Sequence, residues 1–139
     1  MYEVKINKLT SEEFCFLTKS VGWGAPPVEQ VDIAIANSLF TILVLDKGQP
    51  IGMGRLCGDK SLSFYIKDVV VVPLLQKQGV GRLMIKAMLD YIIGSISVGW
   101  KASVELMASK EAENFYQHLG FEQRPSQDDG SGMFLMIEK

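Results

Sequence analysis

The stretch SLSFYIKDVVVV-PLLQKQG-VGRLMIKAMLDYII, from Ser61 to Ile93, decides the fold of this chain. Residues 61 to 72 read as a strand, and the last four, Val69 to Val72, are all apolar, which is typical of a strand covered on both faces. Pro73 has no N–H group and ends this strand. From Val80 the apolar residues recur at the spacing of an amphipathic helix that runs to about residue 93. The pattern therefore predicts strand, loop and helix in direct succession.

The loop between these elements, Gln76 to Arg82, is suited to holding a phosphate. Gly79 and Gly81 remove side chains that would keep a ligand from the backbone, and the first turn of a helix has N–H groups without partners. The common phosphate motifs do not match, because Met84 stands where the dinucleotide fingerprint has its third glycine and no Gly-Lys-Ser/Thr occurs. The pattern that remains is Q-x-x-G-x-G. The alternative is that these glycines only shape a tight turn.

This pattern and its flanks resemble the GNAT superfamily of acetyl-CoA-dependent N-acetyltransferases, whose central motif is a strand, Q/R-x-x-G-x-G/A and a helix. A second segment, AENFYQHLGF from Ala112 to Phe121, matches the family pattern A-x-x-F-Y-x-x-x-G-F. Two motifs about 35 residues apart in the family's order are more specific than either alone. The resemblance implies an α/β (α+β) fold, a mixed central sheet with antiparallel N-terminal strands and a splayed parallel pair, flanked by about four helices.

The rest of the chain gives the element order β-α-α-β-β-β-α-β-α-β-β, and residues 1 to 139 are expected to form one N-acetyltransferase domain. A capping box of Thr10 with Glu13, and a staple of Leu9 with Phe14, start the first helix. The last two strands, one after Phe121 and one at Met133–Glu138, are expected to form a C-terminal hairpin. The other predicted elements are strands at 2–6, 39–45, 51–57 and 102–108 and helices from Thr10 to Ser20, from Pro27 to Asn37 and from Ala112 to Leu119.

Composition excludes several classes of protein. A chain of 139 residues with 47% hydrophobic content can bury roughly two thirds of its unfolded surface in one core. The net charge of -2 and the absence of a basic run favour neither nucleic acid nor a membrane surface as a partner. Neither a signal-peptide core nor a span of about 20 apolar residues is found, so a cytoplasmic protein is expected. Cys15 and Cys57 are expected to be free thiols, and with one histidine they predict no metal site.

The resemblance implies acetyl-CoA as co-substrate. The family pairs the thioester arm with free backbone groups of the splayed strand, which here are those of Val69, Val70 and Val71. Seven residues before the motif tyrosine the family commonly has an asparagine that contacts the cofactor, but this chain has Ser109. Asn114 is the candidate for that contact, and whether Ser109 makes it or caps a helix stays open. The predicted pyrophosphate site consists of the backbone amides of Lys77, Gln78, Gly79, Val80, Gly81 and Arg82, with the side chains of Lys77 and Arg82 either adding charge or merely solvated.

Acetyl transfer requires a proton for the departing thiolate and a neutral amine. Tyr116 lies at the edge of an apolar helical stripe, and a phenol with a pKa near ~10 can protonate a thiolate whose conjugate acid lies near ~8.5. The family uses this tyrosine as the acid; the alternative is that it only packs. Asp68, at the entrance of the valine run, is the candidate base or ammonium ligand, with Glu105 or no dedicated base as alternatives. His118 lies off the apolar stripe, so it is expected to be exposed and outside the site.

Aromatic residues are the candidates for the site that binds the acceptor. Trp23 and Tyr65, with Phe64, are candidates for the wall of an amine pocket, or they belong to the core. The predicted function is transfer of the acetyl group to a primary amine of a small molecule through a tetrahedral intermediate. A protein N-terminus or lysine is the second acceptor class, and a non-catalytic acyl-CoA sensor is the alternative from another functional class. A homodimer is a further expectation.

Overall fold

Five strands form one mixed sheet in the first of two compact units of the computed structural model, which describes all residues from 1 to 139. The first unit is Met1–Leu106 and the second is Met107–Lys139. The expectation of a single domain remains a prediction. The strands are β1 Glu3–Ile6, β2 Phe40–Asp46, β3 Gln49–Gly58, β4 Ser63–Val71 and β5 Ser103–Leu106, and the helices are α1 Ser11–Ser20, α2 Val28–Ala36, α3 Val80–Ser95 and α4 Glu113–His118, with 3₁₀ turns at Pro73–Leu75 and Lys110–Ala112.

The sheet has the strand order β1-β2-β3-β4-β5, the same as the order along the chain. Neighbouring strands from β1 to β4 are antiparallel, and only β4 and β5 are parallel. A parallel pair needs a long crossover, which α3 supplies between β4 and β5. The mixed sheet expected from the sequence is therefore confirmed.

In the first half, the capping box and the hairpin turn form as predicted, while α2 begins one residue later than predicted. The Glu13 N–H donates to Thr10 Oγ1 over 3.2 Å and the Thr10 N–H donates to Glu13 Oε1 over 3.1 Å, which completes the capping box at the start of α1. The turn between β2 and β3 has two central residues with positive φ, 49° at Lys47 and 79° at Gly48, as a tight hairpin requires. Pro27 precedes α2 as its N-cap instead of occupying the first helical position. The two cysteines are free.

Each face of the sheet has its own core. On the face towards α3, a Cβ on Gly52 would lie 3.1 Å from Val80 Cγ1, and a Cβ on Gly54 would collide with Met88 Cε. These glycines let α3 lie close to β3. Gly52 is opposite Val71 in the register, so this packing brings the first turn of α3 beside the end of β4. The other face is covered by α1 and α2, and its buried cluster consists of Leu9, Phe14, Leu17, Val31, Leu43, Leu45, Met53 and Val70.

The predicted C-terminal hairpin is wrong. Residues 121 to 139 contain no strand, and the turn comes earlier than expected, where the Ser126 N–H donates to Asp129 O over 2.9 Å. Apolar composition suggested a strand at Met133–Glu138, but a strand exists only where a neighbour pairs with its N–H and C=O groups. No strand pairs with this segment, and its apolar side chains are exposed. No helix of the structure has the length and apolar character needed to cross a membrane.

Candidate active site

The loop from Gln76 to Arg82 contains six consecutive backbone N–H groups, at residues 77 to 82, that donate to no acceptor in the chain. The last donor before this run is the Gln76 N–H, 3.4 Å from Pro73 O, and the first after it is the Leu83 N–H, which donates to Gly79 O over 3.0 Å. The run combines the first turn of α3 with two left-handed residues, Lys77 at φ 63° and Gly79 at φ 92°. Free donors together with the positive end of a helix dipole are suited to binding an anion.

Two side-chain amides of this loop donate to backbone carbonyl groups of the segment before it. Gln76 Nε2 donates to Val71 O over 2.9 Å, and Gln78 Nε2 donates to Leu74 O over 3.3 Å. These bonds tie Gln76 and Gln78 to the end of β4 and to the 3₁₀ turn, while the N–H groups of residues 77 to 82 stay free. Lys77 and Arg82 lie at the surface, and a Cβ on Gly79 would contact nothing within 4 Å. What requires glycine at 79 is thus its positive φ rather than lack of space.

The outer edge of β4 is unpaired beyond its first residues. Its parallel pairing with β5 runs only from Ser63↔Ser103 to Ile66↔Leu106, and from residue 67 onwards β4 pairs with β3 alone. The splayed parallel pair is confirmed. The Val72 N–H donates to Ile51 O over 2.9 Å, so by strand alternation Val69 and Val71 direct their backbone groups away from β3. The backbone of Val70 turns towards Met53 of β3, and its side chain is buried in the core.

Asp68 lies at a bulge in β4. The register between β3 and β4 shifts between Met53 and Arg55, and Asp68 has a left-handed φ of 54°. Its Oδ2 accepts a hydrogen bond of 2.7 Å from Arg55 Nε, in an ion pair whose side chains are 21% exposed for Asp68 and 12% for Arg55. Arg55 was not among the residues predicted from the sequence. The available signal was a basic residue inside the otherwise apolar strand IGMGRLC.

Arg55 also binds the C-terminal end of α2. Its Nη1 donates to Ser38 Oγ over 3.0 Å and to Ala34 O over 3.3 Å, and it lies 3.4 Å from Cys57 Sγ. A cation at a helix C-terminus is favourable, because the last carbonyl groups have no partners within the helix. One guanidinium therefore connects β3, β4 and α2.

The remaining candidates for the amine pocket and the base differ in how far they are buried. Tyr65 is half-buried, and Lys67 Nζ lies 5.6 Å from the centre of its ring. Phe64 is fully buried and belongs to the core. Trp23 lies in the connection between α1 and α2 and is 55% exposed. Glu105, the alternative base, is exposed on β5 and faces Tyr65 in the register.

Tyr116 lies in α4, in the second unit, where its side chain is 9% exposed. Its ring meets Phe115 and Phe121 edge-on, with ring centres 5.0 and 5.8 Å apart. Burial raises the pKa of the Tyr116 hydroxyl above its usual value, so the phenol keeps its proton at neutral pH.

The other second-unit candidates are exposed. Asn114 is exposed, and its backbone carbonyl lies 2.6 Å from Nδ1 of the exposed His118. Ser109 precedes the 3₁₀ turn without a capping hydrogen bond from its side chain. Ser109 is nevertheless the N-cap residue of this turn, and its carbonyl accepts a hydrogen bond from the Ala112 N–H over 2.9 Å. No three His, Cys, Asp or Glu side chains are grouped so as to hold a metal ion.

A mixed sheet with a splayed parallel pair, leading into a loop of free amides at a helix start, is the arrangement that the sequence resemblance implied for this chain. The family model described as "Acetyltransferase (GNAT) domain" matches residues 24–136. A crystal structure of a protein of unknown function from meticillin-resistant Staphylococcus aureus, a probable acetyltransferase, is 31% identical, with a TM-score of 0.86 over 99% of this chain and 100% of that one. A GNAT-family acetyltransferase of Streptococcus pneumoniae is 28% identical, with a TM-score of 0.81 over the whole of both chains.

The chain belongs to the GNAT family of acetyltransferases. Among curated relatives, the uncharacterised N-acetyltransferase ycf52 of Gracilaria tenuistipitata var. liui is 36% identical over 122 residues, which cover 85% of this chain. The chain spans only 64% of the length of that relative.

Proposed function

We propose that this protein transfers the acetyl group of acetyl-CoA to a primary amine of a small molecule. The observation that carries the proposal is the run of six free N–H groups at residues 77 to 82, at the start of α3. A pyrophosphate needs several donors that converge without a competing acceptor, and this run offers them where the helix dipole is also favourable. Lys77 and Arg82, both at the surface beside the run, add positive charge at its rim.

The unpaired edge of β4 supports the same substrate. Val69 and Val71 direct backbone donors and acceptors to a side where β5 no longer pairs with the strand. The amide groups of a pantetheine arm can bind there as a further strand would. Val71 O already accepts a hydrogen bond from Gln76, so we expect Val69 to supply the main contacts. Acetyl-CoA supplies the acetyl group as a thioester.

The proposed proton transfers use two residues. The neutral amine attacks the thioester carbon, the carbon–sulfur bond breaks, and the CoA thiolate takes a proton from the Tyr116 hydroxyl, which solvent then restores. The phenol is protonated at neutral pH, so its proton is available to the departing thiolate, although the raised pKa makes it a weaker acid than a free tyrosine. The amine releases its proton to Asp68 or to water. Asp68 Oδ1, which accepts no hydrogen bond from the chain, is free for this purpose.

The acceptor is proposed to be a small molecule with a cationic amine. Asp68 supplies a carboxylate, Tyr65 lies three residues before it on the same strand, and Trp23 offers an exposed aromatic face between α1 and α2. Aromatic faces and a carboxylate are the groups that bind an alkylammonium ion. This supports the candidates taken from the sequence and adds Arg55 to them.

The test is an acceptor panel with acetyl-CoA, in which released thiol is measured against a reaction without acceptor. The panel contains polyamines, amino acids, amino sugars and peptides with a free N-terminus or lysine. We expect release above background with at least one small amine. Release with peptides alone would replace the small molecule by a protein acceptor. Acetyl-CoA binding without release for every acceptor class would contradict catalysis and favour a sensor.

A further inference from the structure

The side chain of Asp68 is fixed through one of its two oxygens. The residue has φ 54° inside a strand, a conformation that costs free energy for any residue except glycine and persists only where the surroundings hold it. Its Oδ2 accepts the hydrogen bond from Arg55 Nε, and this is the only hydrogen bond of the carboxylate. Oδ1 has no partner in the chain, while part of the side chain is exposed. Asp68 therefore has one held and one free oxygen.

The guanidinium that holds Asp68 is itself held from the other side. Arg55 Nη1 donates to Ser38 Oγ and Ala34 O, and Ser38 Oγ also donates to Ala34 O over 2.7 Å. Because a guanidinium is planar and rigid, fixing Nη1 against the end of α2 fixes the direction in which Nε points. The direction of the Asp68 carboxylate is then set by α2 as well as by β4.

We infer that Arg55 is a positioning residue, which orients Oδ1 of Asp68 towards the amine of the acceptor. The inference rests on the proposed function, because it concerns how Asp68 binds the acceptor amine. Arg55 is a cation and does not attract the cationic amine, so it contributes to amine binding only by fixing the direction of the Asp68 carboxylate. The competing interpretation is an ion pair that only stabilises the fold, and it predicts a change in melting temperature without a change in kinetics.

A double-mutant cycle on the full chain tests the role of Arg55. The variants are Arg55→Met, Arg55→Lys, Asp68→Asn and the two double variants, assayed with saturating acetyl-CoA and the best amine of the panel. We expect Arg55→Met to raise the KM of the amine about tenfold, the scale of one charge-assisted hydrogen bond, with the Kd of acetyl-CoA within about twofold of wild type. In the Asp68→Asn background, Arg55→Met should add less than about twofold.

The lysine variant and a second ion pair, on α3, serve as comparisons. A lysine can neutralise Asp68 but lacks the rigid planar fork that joins Asp68 to α2, so Arg55→Lys should raise the KM of the amine about threefold, an effect absent in the Asp68→Asn background. This comparison decides the question if Arg55→Met does not fold. Lys86→Met removes the cation of another 2.7 Å ion pair, with Asp90 on α3, and should leave the KM of the amine unchanged.

Two results would overturn the role of Arg55 while leaving the proposed function in place. One is an unchanged KM of the amine in Arg55→Met and Arg55→Lys, with only the melting temperature lowered. The other is a rise in KM of equal size with and without the Asp68 carboxylate. Absence of turnover by the wild-type chain with every amine would overturn the proposed function, and the role of Arg55 with it.

Discussion

Thr41 is buried, at 3% exposure, and its hydroxyl is a buried polar group without a hydrogen-bond partner. Burying such a group costs free energy, and valine has nearly the same shape without it. We therefore expect Thr41→Val to raise the free energy of unfolding by about 0.5 to 1.5 kcal/mol, measured by urea denaturation.

Thr18 is the matched control for Thr41. It is buried to a similar degree, but its Oγ1 donates to Cys15 O over 3.2 Å. Thr18→Val should therefore lose about 1 kcal/mol of stability. Equal losses at the two positions would contradict the prediction and indicate a buried water at Thr41.

The pH dependence of stability should contain a contribution from Tyr116. Burial raises its pKa in the folded chain, so the folded state holds the phenolic proton more tightly than the unfolded state. This stabilisation is complete below the ordinary tyrosine pKa of about 10 and is lost as the pH rises through the higher folded value. Tyr116→Phe lacks it. Wild type should therefore lose stability relative to Tyr116→Phe above about pH 10, measured by urea denaturation across pH.

The other three tyrosines are present in both proteins, so this difference isolates Tyr116. A difference that stays constant with pH would contradict the raised pKa.

In the acetyl-transfer assay, Tyr116→Phe should lower kcat by about ten- to a thousandfold and leave the Kd of acetyl-CoA nearly unchanged, because only the donated proton is lost. A variant as fast as wild type would leave Tyr116 as a packing residue.

The loop before α3 offers a controlled test of anion binding. Gly79→Asp places a negative charge among the free amides and should abolish acetyl-CoA binding, measured by calorimetry. Gly48→Asp is the matched control, because both glycines have positive φ, at 92° and 79°, and a Cβ added at either would meet no other part of the chain within 4 Å. Both variants should lose about 1 kcal/mol of stability from backbone strain. Equal acetyl-CoA affinity in the two variants would exclude the loop as the pyrophosphate site.

Individual elements were predictable where the signal was local. The hydrophobic pattern of residues 61 to 93 predicted β4 and α3 within about two residues, since both periodicities come from the faces that these elements bury. The capping box predicted the start of α1. The ion pair of Arg55 with Asp68 was not predictable, because it depends on a bulge in the register of two strands. The hairpin at the C-terminus failed because composition shows that a segment can form a strand but not that a partner exists.

The architecture explains why the candidate site lies where it does. All connections from β1 to β4 join antiparallel neighbours, and the chain makes its one crossover between β4 and β5. The loop of free amides begins that crossover at the carboxyl end of β4, where open sheets commonly bind ligands. Residue patterns alone did not predict this open edge, since strand pairing is not a local property. The family resemblance implied it, and the pairing of β4 with β5 over only four residue pairs confirms the splay.

Hydrogen exchange at the unpaired amides of residues 77 to 82 should show whether the loop holds a ligand. A backbone N–H without an acceptor exchanges its hydrogen with solvent far faster than one inside a helix, so exchange at these positions should be fast while that of the buried turns of α3 is slow. Coenzyme A should slow exchange at the loop and leave α1 unaffected, as measured by hydrogen–deuterium exchange followed by mass spectrometry or NMR. In Gly79→Asp the loop should stay fast at every concentration of coenzyme A. Protection that appears elsewhere and spares the loop would place the ligand at another surface.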